Sequence, residues 1–163
     1  MSDYVAPVTA ILVPHLGAVA GGLFARRNLD GWYEGLKYPS WRPPNKIFPV
    51  VWTTLYSSMG YASYLVWRDG GGFRGDAAGP LALYGTQLAL NWAWTPIFFG
   101  LRSPKWAFVD SVCLLGGIAG TIAAFYRVNE TAAFVLFPYF GWVAFATYLN
   151  YRIWRDNPEK KEE

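Results

Sequence analysis

Apolar residues in this chain are gathered into five long segments, which are separated mostly by short polar links. The segments span residues 5–25, 47–67, 80–101, 105–126 and 131–154. Each is close to the roughly 20 helical residues that cross the hydrocarbon core of a bilayer. The pattern therefore predicts an all-α integral membrane protein, in which residues 1–163 form a single domain built as a five-transmembrane-helix bundle.

A soluble helical protein would instead repeat charged and apolar positions with a period near 3.6 residues. No charged residue occurs in the stretches 82–101 and 111–126. Charged residues make up 15% of the chain, against roughly 25% in an average soluble domain. Aromatic residues reach 19%, and tryptophan and tyrosine are enriched where helices meet the membrane–water interfaces. The composition thus favours a membrane protein.

Basic residues are divided unequally between the two ends of the predicted bundle. Eleven basic residues lie at one end, which holds loop 26–46, the link 102–105, Arg152 and the C-terminal tail 155–163. The other end has three, which are Arg68, Arg74 and Arg127. Because basic loops stay on the cytosolic side, we expect loop 26–46 and the C-terminus to face the cytosol. This arrangement explains the net charge of +3 without a nucleic-acid partner.

Cysteine and histidine are too few for the common metal chemistries. The single cysteine, Cys113, excludes an internal disulfide and a cysteine-based zinc site. His15 is the only imidazole, and it follows a proline within the first segment. We therefore expect no metal and no cofactor. No nucleophile–base pair indicates a catalytic residue either.

Polar and aromatic side chains recur on one face of three predicted helices. Gln87, Asn91 and Trp94 are spaced by four and three residues, and they should face the bundle interior because lipid cannot satisfy their amides. Asp110 is an acid within a segment, a feature that is often functional but that also suits the dipole near a helix start. The other members are Trp106, Cys113, Trp142, Ala146, Leu149 and Asn150. An aromatic-lined pocket for a flat apolar ligand and simple hydrogen bonding between helices both remain open.

Two further patterns concern partners. Gly85, Ala89 and Ala93 form a stripe of small residues, which permits close helix packing either within the bundle or across a dimer. Near the C-terminus, Leu149, Tyr151 and Arg155 fit the pattern proposed for cholesterol contact. The same residue types also anchor a helix end at the membrane surface.

Five motifs lie along the chain: Trp32-Tyr33, Pro39-Ser40-Trp41-Arg42-Pro43-Pro44, Val51-Trp52-Thr53-Thr54-Leu55-Tyr56, the stretch LNWAWTPIFFG at 90–100, and Pro138-Tyr139. They resemble the motifs of the translocator protein family, whose bacterial members are called tryptophan-rich sensory proteins. The animal protein was once named the peripheral-type benzodiazepine receptor, and the chain is more similar to this animal mitochondrial branch.

The resemblance implies a fold, ligands and a location. Members have five transmembrane helices, often form homodimers, and bind cholesterol, porphyrins such as protoporphyrin IX, and synthetic benzodiazepine-site ligands. In animals they lie in the mitochondrial outer membrane. Loop 26–46 would close the ligand pocket from the cytosolic side. By the same resemblance the pocket would be lined by Gly22, Ala25, Trp52, Trp94, Trp106, Val109, Asp110, Cys113, Trp142, Ala146, Leu149 and Asn150.

Three functions compete at this point. The first is a membrane receptor or carrier for cholesterol and porphyrin, involved in lipid transport or sensing. The second is a light-dependent porphyrin-degrading enzyme, with Trp52 and Trp142 as the oxidisable indoles. The third is a structural partner in an outer-membrane complex.

Overall fold

The structure is a computed structural model that describes residues 2–29 and 31–159. Within these residues the regular structure is helical, and no β-strand occurs. The predicted tail extends beyond them, so Lys160 and Lys161 lie outside the described residues. The helices are α1 (Val5–Arg27), α2 (Gly31–Glu34), α3 (Ile47–Asp69), α4 (Ala78–Thr95), α5 (Pro104–Tyr126), α6 (Glu130–Val135) and α7 (Phe137–Asp156).

The long helices pack side by side around a shared interior. Helix α1 packs on α3, α4 packs on α5, and α5 packs on α7, while α6 and α7 return to α3 and α1 contacts α4. Met59, Val66, Ile118 and Phe125 are fully buried at the centre of the main hydrophobic cluster. Short connections between long helices make neighbours antiparallel, so the loop of residues 28–46 and the C-terminal end of α7 meet at one end of the bundle.

Small residues let α1 approach its two neighbours. A Cβ atom at Gly17 would lie 2.2 Å from the Trp92 indole, and that indole nitrogen donates a hydrogen bond to the Pro14 carbonyl. On the side facing α3, His15 Nε2 lies 3.0 Å from Ser57 Oγ. The Ser57 hydroxyl already donates to the Thr53 carbonyl, so the imidazole N–H donates to Ser57. His15 thus connects two helices.

Prolines divide two of the apolar segments. Segment 80–101 begins within α4, which ends at Thr95 and is followed by a π-helical turn, Pro96–Gly100. In that wider turn Phe98 and Phe99 are both buried, although neighbouring residues of an α-helix point about 100° apart. Segment 131–154 is likewise interrupted at Leu136, two residues before Pro138. Proline lacks the backbone N–H that would continue the hydrogen-bond ladder.

Three helical stretches are long and apolar enough to cross a bilayer by length and composition. They are Val5–Arg27, Pro104–Tyr126 and the combined α6–α7 stretch Glu130–Asp156. Helix α4 is shorter, at 18 residues, and it carries the amides of Gln87 and Asn91. These two side chains are buried at 1% and 6% exposure, so they lower the mean hydropathy of α4 without facing lipid.

Candidate functional site

A chain of buried hydrogen bonds crosses the middle of the bundle. The Tyr56 hydroxyl donates to Asn91 Oδ1 at 2.5 Å, and Asn91 Nδ2 donates to the Tyr139 hydroxyl at 2.8 Å. Tyr139 in turn donates to Gln87 Oε1 at 2.7 Å. The amides therefore face inward, as their spacing predicts. This network holds α3, α4 and α7 together.

A second set of hydrogen bonds lies nearer the end of the bundle that carries loop 26–46. Asn150 Oδ1 accepts a hydrogen bond from Trp94 Nε1 at 2.9 Å, and Asn150 Nδ2 donates to the Pro104 carbonyl at 2.8 Å. Asn150 is fully buried. One amide thus fixes the orientation of the Trp94 indole and the start of α5.

Aromatic rings surround this second set. The Trp94 ring stacks on Phe98 with centroids 4.8 Å apart. Trp32 and Tyr33, from the loop and its short helix, pack against the same pair of phenylalanines, Phe98 and Phe99. Ala25 of α1 and Leu149 of α7 belong to the same cluster. The result is an apolar, aromatic region between loop 26–46 and the helices.

Trp52 and Trp142 lie on the seam between α3 and α7. Trp52 stacks on Tyr56 at 5.3 Å and meets the edge of Tyr139 at 6.3 Å. Trp142 contacts Phe48 at 5.8 Å and Phe145 at 5.5 Å. Because Phe48 and Trp52 are one turn apart on α3, the two indoles occupy successive levels of the seam.

Five buried side-chain atoms have no hydrogen-bond partner among the described residues: Tyr84 Oη, Gln87 Nε2, Asp110 Oδ2, Trp142 Nε1 and Arg152 Nε. Two of them belong to the pocket residues expected from the family resemblance, namely Trp142 Nε1, a donor, and Asp110 Oδ2, an acceptor when ionised. A buried polar group without a partner costs about 1–3 kcal/mol. Trp142 Nε1 lies beside the rings of Phe48 and Phe145, and Asp110 is buried on α5, so each residue has one polar atom that a ligand could engage.

Loop 26–46 lies against the helices through aromatic and cationic contacts. Trp41 stacks on Tyr148 of α7 at 5.4 Å with an interplanar angle of 9°. The Arg42 guanidinium donates to Tyr33 Oη and Asn45 Oδ1 and lies 4.2 Å above the Tyr38 ring. Burial raises the pKa of Tyr38 above its usual value, so its hydroxyl remains a neutral donor at physiological pH. The Tyr38 hydroxyl donates to the Tyr33 carbonyl at 2.6 Å.

One asparagine fastens this loop to the end of α7. The Lys37 backbone N–H donates to Asn157 Oδ1 at 2.8 Å, and Asn157 Nδ2 donates back to the Lys37 carbonyl at 2.9 Å. Both bonds join residues 120 positions apart. We call this pair of hydrogen bonds the Asn157 clasp, and it holds the loop over the aromatic region.

The pocket residues expected from the family resemblance divide into two groups in the structure. Trp106 is 56% exposed and Val109 40% exposed, and Cys113 and Gly22 are also exposed. These four lie on outward surfaces of α5 and α1. The inward or half-buried group consists of Ala25, Trp52, Trp94, Asp110, Trp142, Ala146, Leu149 and Asn150.

The residues of the cholesterol pattern also separate. Leu149 is buried inside the bundle, whereas Tyr151 packs on Phe108 of α5 at 5.5 Å. Arg155 is exposed, and its neighbour Arg152 makes an ion pair with Asp156 at 3.4 Å. The tyrosine and the arginine therefore lie toward the outer surface, and the leucine does not.

Sequence reasoning from periodicity missed several residues of this region. Tyr56 and Tyr139 complete the buried network, but their hydroxyls have partners on other helices, which spacing along one helix does not reveal. The burial of both Phe98 and Phe99 could not be predicted without knowing of the π-helical turn. The Asn157 clasp joins distant residues, and a single asparagine just after a helix carries no signal for such a contact.

Comparison with known proteins bears on this arrangement. Residues 10–155 match the model of the TspO/MBR family. The chain is 53% identical to the human protein named Translocator protein over 146 residues, which cover 90% of this chain and 86% of the relative. It is 40% identical to human Translocator protein 2 over 148 residues, covering 90% of this chain and 87% of the relative.

A bacterial protein is also similar to this chain over most of its length. The Tryptophan-rich protein TspO of Chlorobaculum tepidum is 41% identical over 139 residues, which cover 85% of this chain and 87% of the relative. Family matches of this extent, together with long apolar helices, identify an integral membrane protein. The chain belongs to the TspO/MBR family.

Proposed function

We propose that this protein binds cholesterol and porphyrins such as protoporphyrin IX, and that the porphyrin occupies the aromatic region of a five-crossing bundle beneath loop 26–46. The observation that carries the proposal is the unpartnered Trp142 Nε1, a buried donor beside the rings of Phe48 and Phe145. A porphyrin is a flat aromatic ring with polar edges, so stacked indoles and a few polar atoms complement it.

The test is equilibrium binding of protoporphyrin IX to the purified protein in darkness, with the Ala146→Phe variant. Ala146 lies one turn after Trp142 and is half-buried, so a phenyl ring there would occupy the proposed site. We expect the dissociation constant to rise about tenfold, equivalent to about 1.4 kcal/mol.

The matched control is Ala119→Phe, because Ala119 is exposed on α5 and the same ring there adds bulk outside the bundle. Its affinity should equal that of the original protein. A folded Ala146→Phe variant with unchanged affinity would place the porphyrin elsewhere. Synthetic benzodiazepine-site ligands, which we assign to the same site, should follow the porphyrin.

A second candidate is light-dependent porphyrin degradation. Trp52 and Trp142 favour it, because both indoles lie on the seam between α3 and α7, where Trp52 stacks on a second oxidisable ring, that of Tyr56. Binding without chemical change, in light as in darkness, supports a receptor or carrier. A light-dependent product that disappears in Trp142→Phe supports the enzyme.

For cholesterol we propose the outer surface at the end of α7. Tyr151 offers an aromatic face and Arg155 a donor near the membrane surface, which together suit a rigid apolar plate with one hydroxyl. Gly85 and Ala89 are exposed on α4, and Ala93 is half-buried. This stripe is our proposed interface of a homodimer, since small residues let helices approach closely.

We further propose that loop 26–46 and the C-terminus face the cytosol, with the mitochondrial outer membrane as the location. The uneven distribution of basic residues supports this orientation. In a Cys113→Ser background, Phe73→Cys should resist a membrane-impermeant thiol reagent added to intact organelles, whereas Ser40→Cys should react. Both positions are exposed. Labelling of Phe73→Cys and protection of Ser40→Cys would reverse the orientation.

A further inference from the structure

A groove lies on the outside of the bundle at the end away from loop 26–46. It runs between the first turns of α4 and the last residues of α5, and its volume is about 620 Å³. The floor is apolar and consists of Pro80, Leu83, Ala124 and Val128. Gly79, Asp76 and Arg127 complete its lining, and the two charged residues lie beyond the ends of the two helices.

The two charges of this groove are not used within the protein. Among the described residues, the side chains of Asp76 and Arg127 have no ion-pair or hydrogen-bond partner, and the two do not pair with each other. Elsewhere on the surface, Arg68 and Asp69 pair at 2.6 Å, and Arg152 and Asp156 pair at 3.4 Å. The groove therefore presents one separated carboxylate and guanidinium above an apolar floor.

We propose that this groove binds a zwitterionic phospholipid whose headgroup carries a primary ammonium, namely phosphatidylethanolamine. Arg127 contacts the lipid phosphate, and Asp76 accepts hydrogen bonds from the ammonium group. The acyl chains leave along Leu83 and Ala124, which lie deeper along their helices than the two charges. Charged groups at the rim and apolar groups below them match the order of parts in a membrane lipid.

The lining also selects among headgroups. None of the described residues that line the groove is aromatic, and quaternary ammonium groups are recognised by aromatic cages. A choline headgroup therefore lacks its usual partner here. An anionic glycerol headgroup offers no cation to Asp76, which repels it. The groove shares no lining residue with the proposed interior porphyrin region, so the two ligands would not compete for the same side chains.

The test is native mass spectrometry of the full chain in detergent with phosphatidylethanolamine, phosphatidylcholine and phosphatidylglycerol of identical acyl chains. We expect one bound phosphatidylethanolamine, preferred about threefold to fivefold over the other two, which is the upper part of the range for an exposed ion pair. Asp76→Asn should abolish that preference and raise phosphatidylglycerol binding. Arg127→Gln should weaken all three lipids alike.

Arg74→Gln and Glu130→Gln are the matched controls, since both residues are exposed at the same end of the bundle and do not line the groove. Both should retain the original lipid ranking. Circular dichroism establishes that each variant is folded. An unchanged ranking in Asp76→Asn, or an equal loss in Arg74→Gln, would overturn the proposal.

Discussion

The Gly60→Ala variant is expected to lose about 1–3 kcal/mol of folding free energy, because it overpacks a contact between two helices. A Cβ atom at Gly60 would lie 2.4 Å from the Ala10 carbonyl oxygen and 2.6 Å from the Ile11 Cα atom. Both are backbone atoms of α1, so no side-chain rotation relieves the overlap. Helix α1 would have to move away from α3, which would stretch the His15–Ser57 hydrogen bond.

Unfolding by sodium dodecyl sulfate in mixed micelles measures this change, and Gly116→Ala is the matched control. Gly116 lies in α5, and a Cβ atom there meets nothing within 4 Å. The folding free energy of the control should be unchanged or should improve by up to about 1 kcal/mol, because alanine has a better helix propensity than glycine. Equal stability of the two variants would mean that α1 does not pack as closely on α3 as described.

Asn91→Leu is expected to cause a loss of similar or greater size, roughly 3 kcal/mol, through the buried hydrogen-bond network. The substitution leaves the Tyr56 hydroxyl without an acceptor, at about 1–3 kcal/mol for each buried group left unpaired. Tyr139 loses the donor Asn91 but keeps its bond to Gln87. The same unfolding measurement applies.

Adding Tyr56→Phe to Asn91→Leu separates the network from simple packing. The double variant has no unpaired tyrosine hydroxyl at position 56 on α3, so it should be more stable than Asn91→Leu alone. The double-mutant cycle then gives a coupling energy within about 0.5–3 kcal/mol. Strict additivity of the two substitutions would show that the hydrogen bond between Tyr56 and Asn91 contributes nothing.

The apolar segments predicted the all-helical fold, because long uncharged stretches have few alternatives. Because these stretches are apolar on every side, the sequence did not show which side of each helix faces inward. In α5, the buried residues Ala107, Leu114 and Phe125 share one face, and Trp106, Val109 and Cys113 lie beside it on the outside. Both faces are apolar, so periodicity does not distinguish lipid from protein there. The family resemblance grouped residues that this structure separates.

Polar residues predicted which side of a helix faces inward better than apolar residues did. The spacing of Gln87 and Asn91 predicted an inward face correctly, because an amide has few satisfactory environments in a membrane. Their partners, Tyr56 and Tyr139, come from other helices and depend on how the bundle packs. Proline positions were visible in the sequence, but the π-helical turn that buries Phe98 was not.

The Asn157 clasp bears on the rates at which the proposed ligand would enter and leave the bundle. Because both of its hydrogen bonds go to the backbone of Lys37, its strength does not depend on the side chain at that position. If the proposed ligand enters and leaves beneath loop 26–46, both bonds and the Trp41–Tyr148 stack have to break. These contacts would then belong to the barrier for exchange, whereas the interior contacts would set the affinity. We therefore expect residence time and equilibrium binding to depend on different residues of this chain.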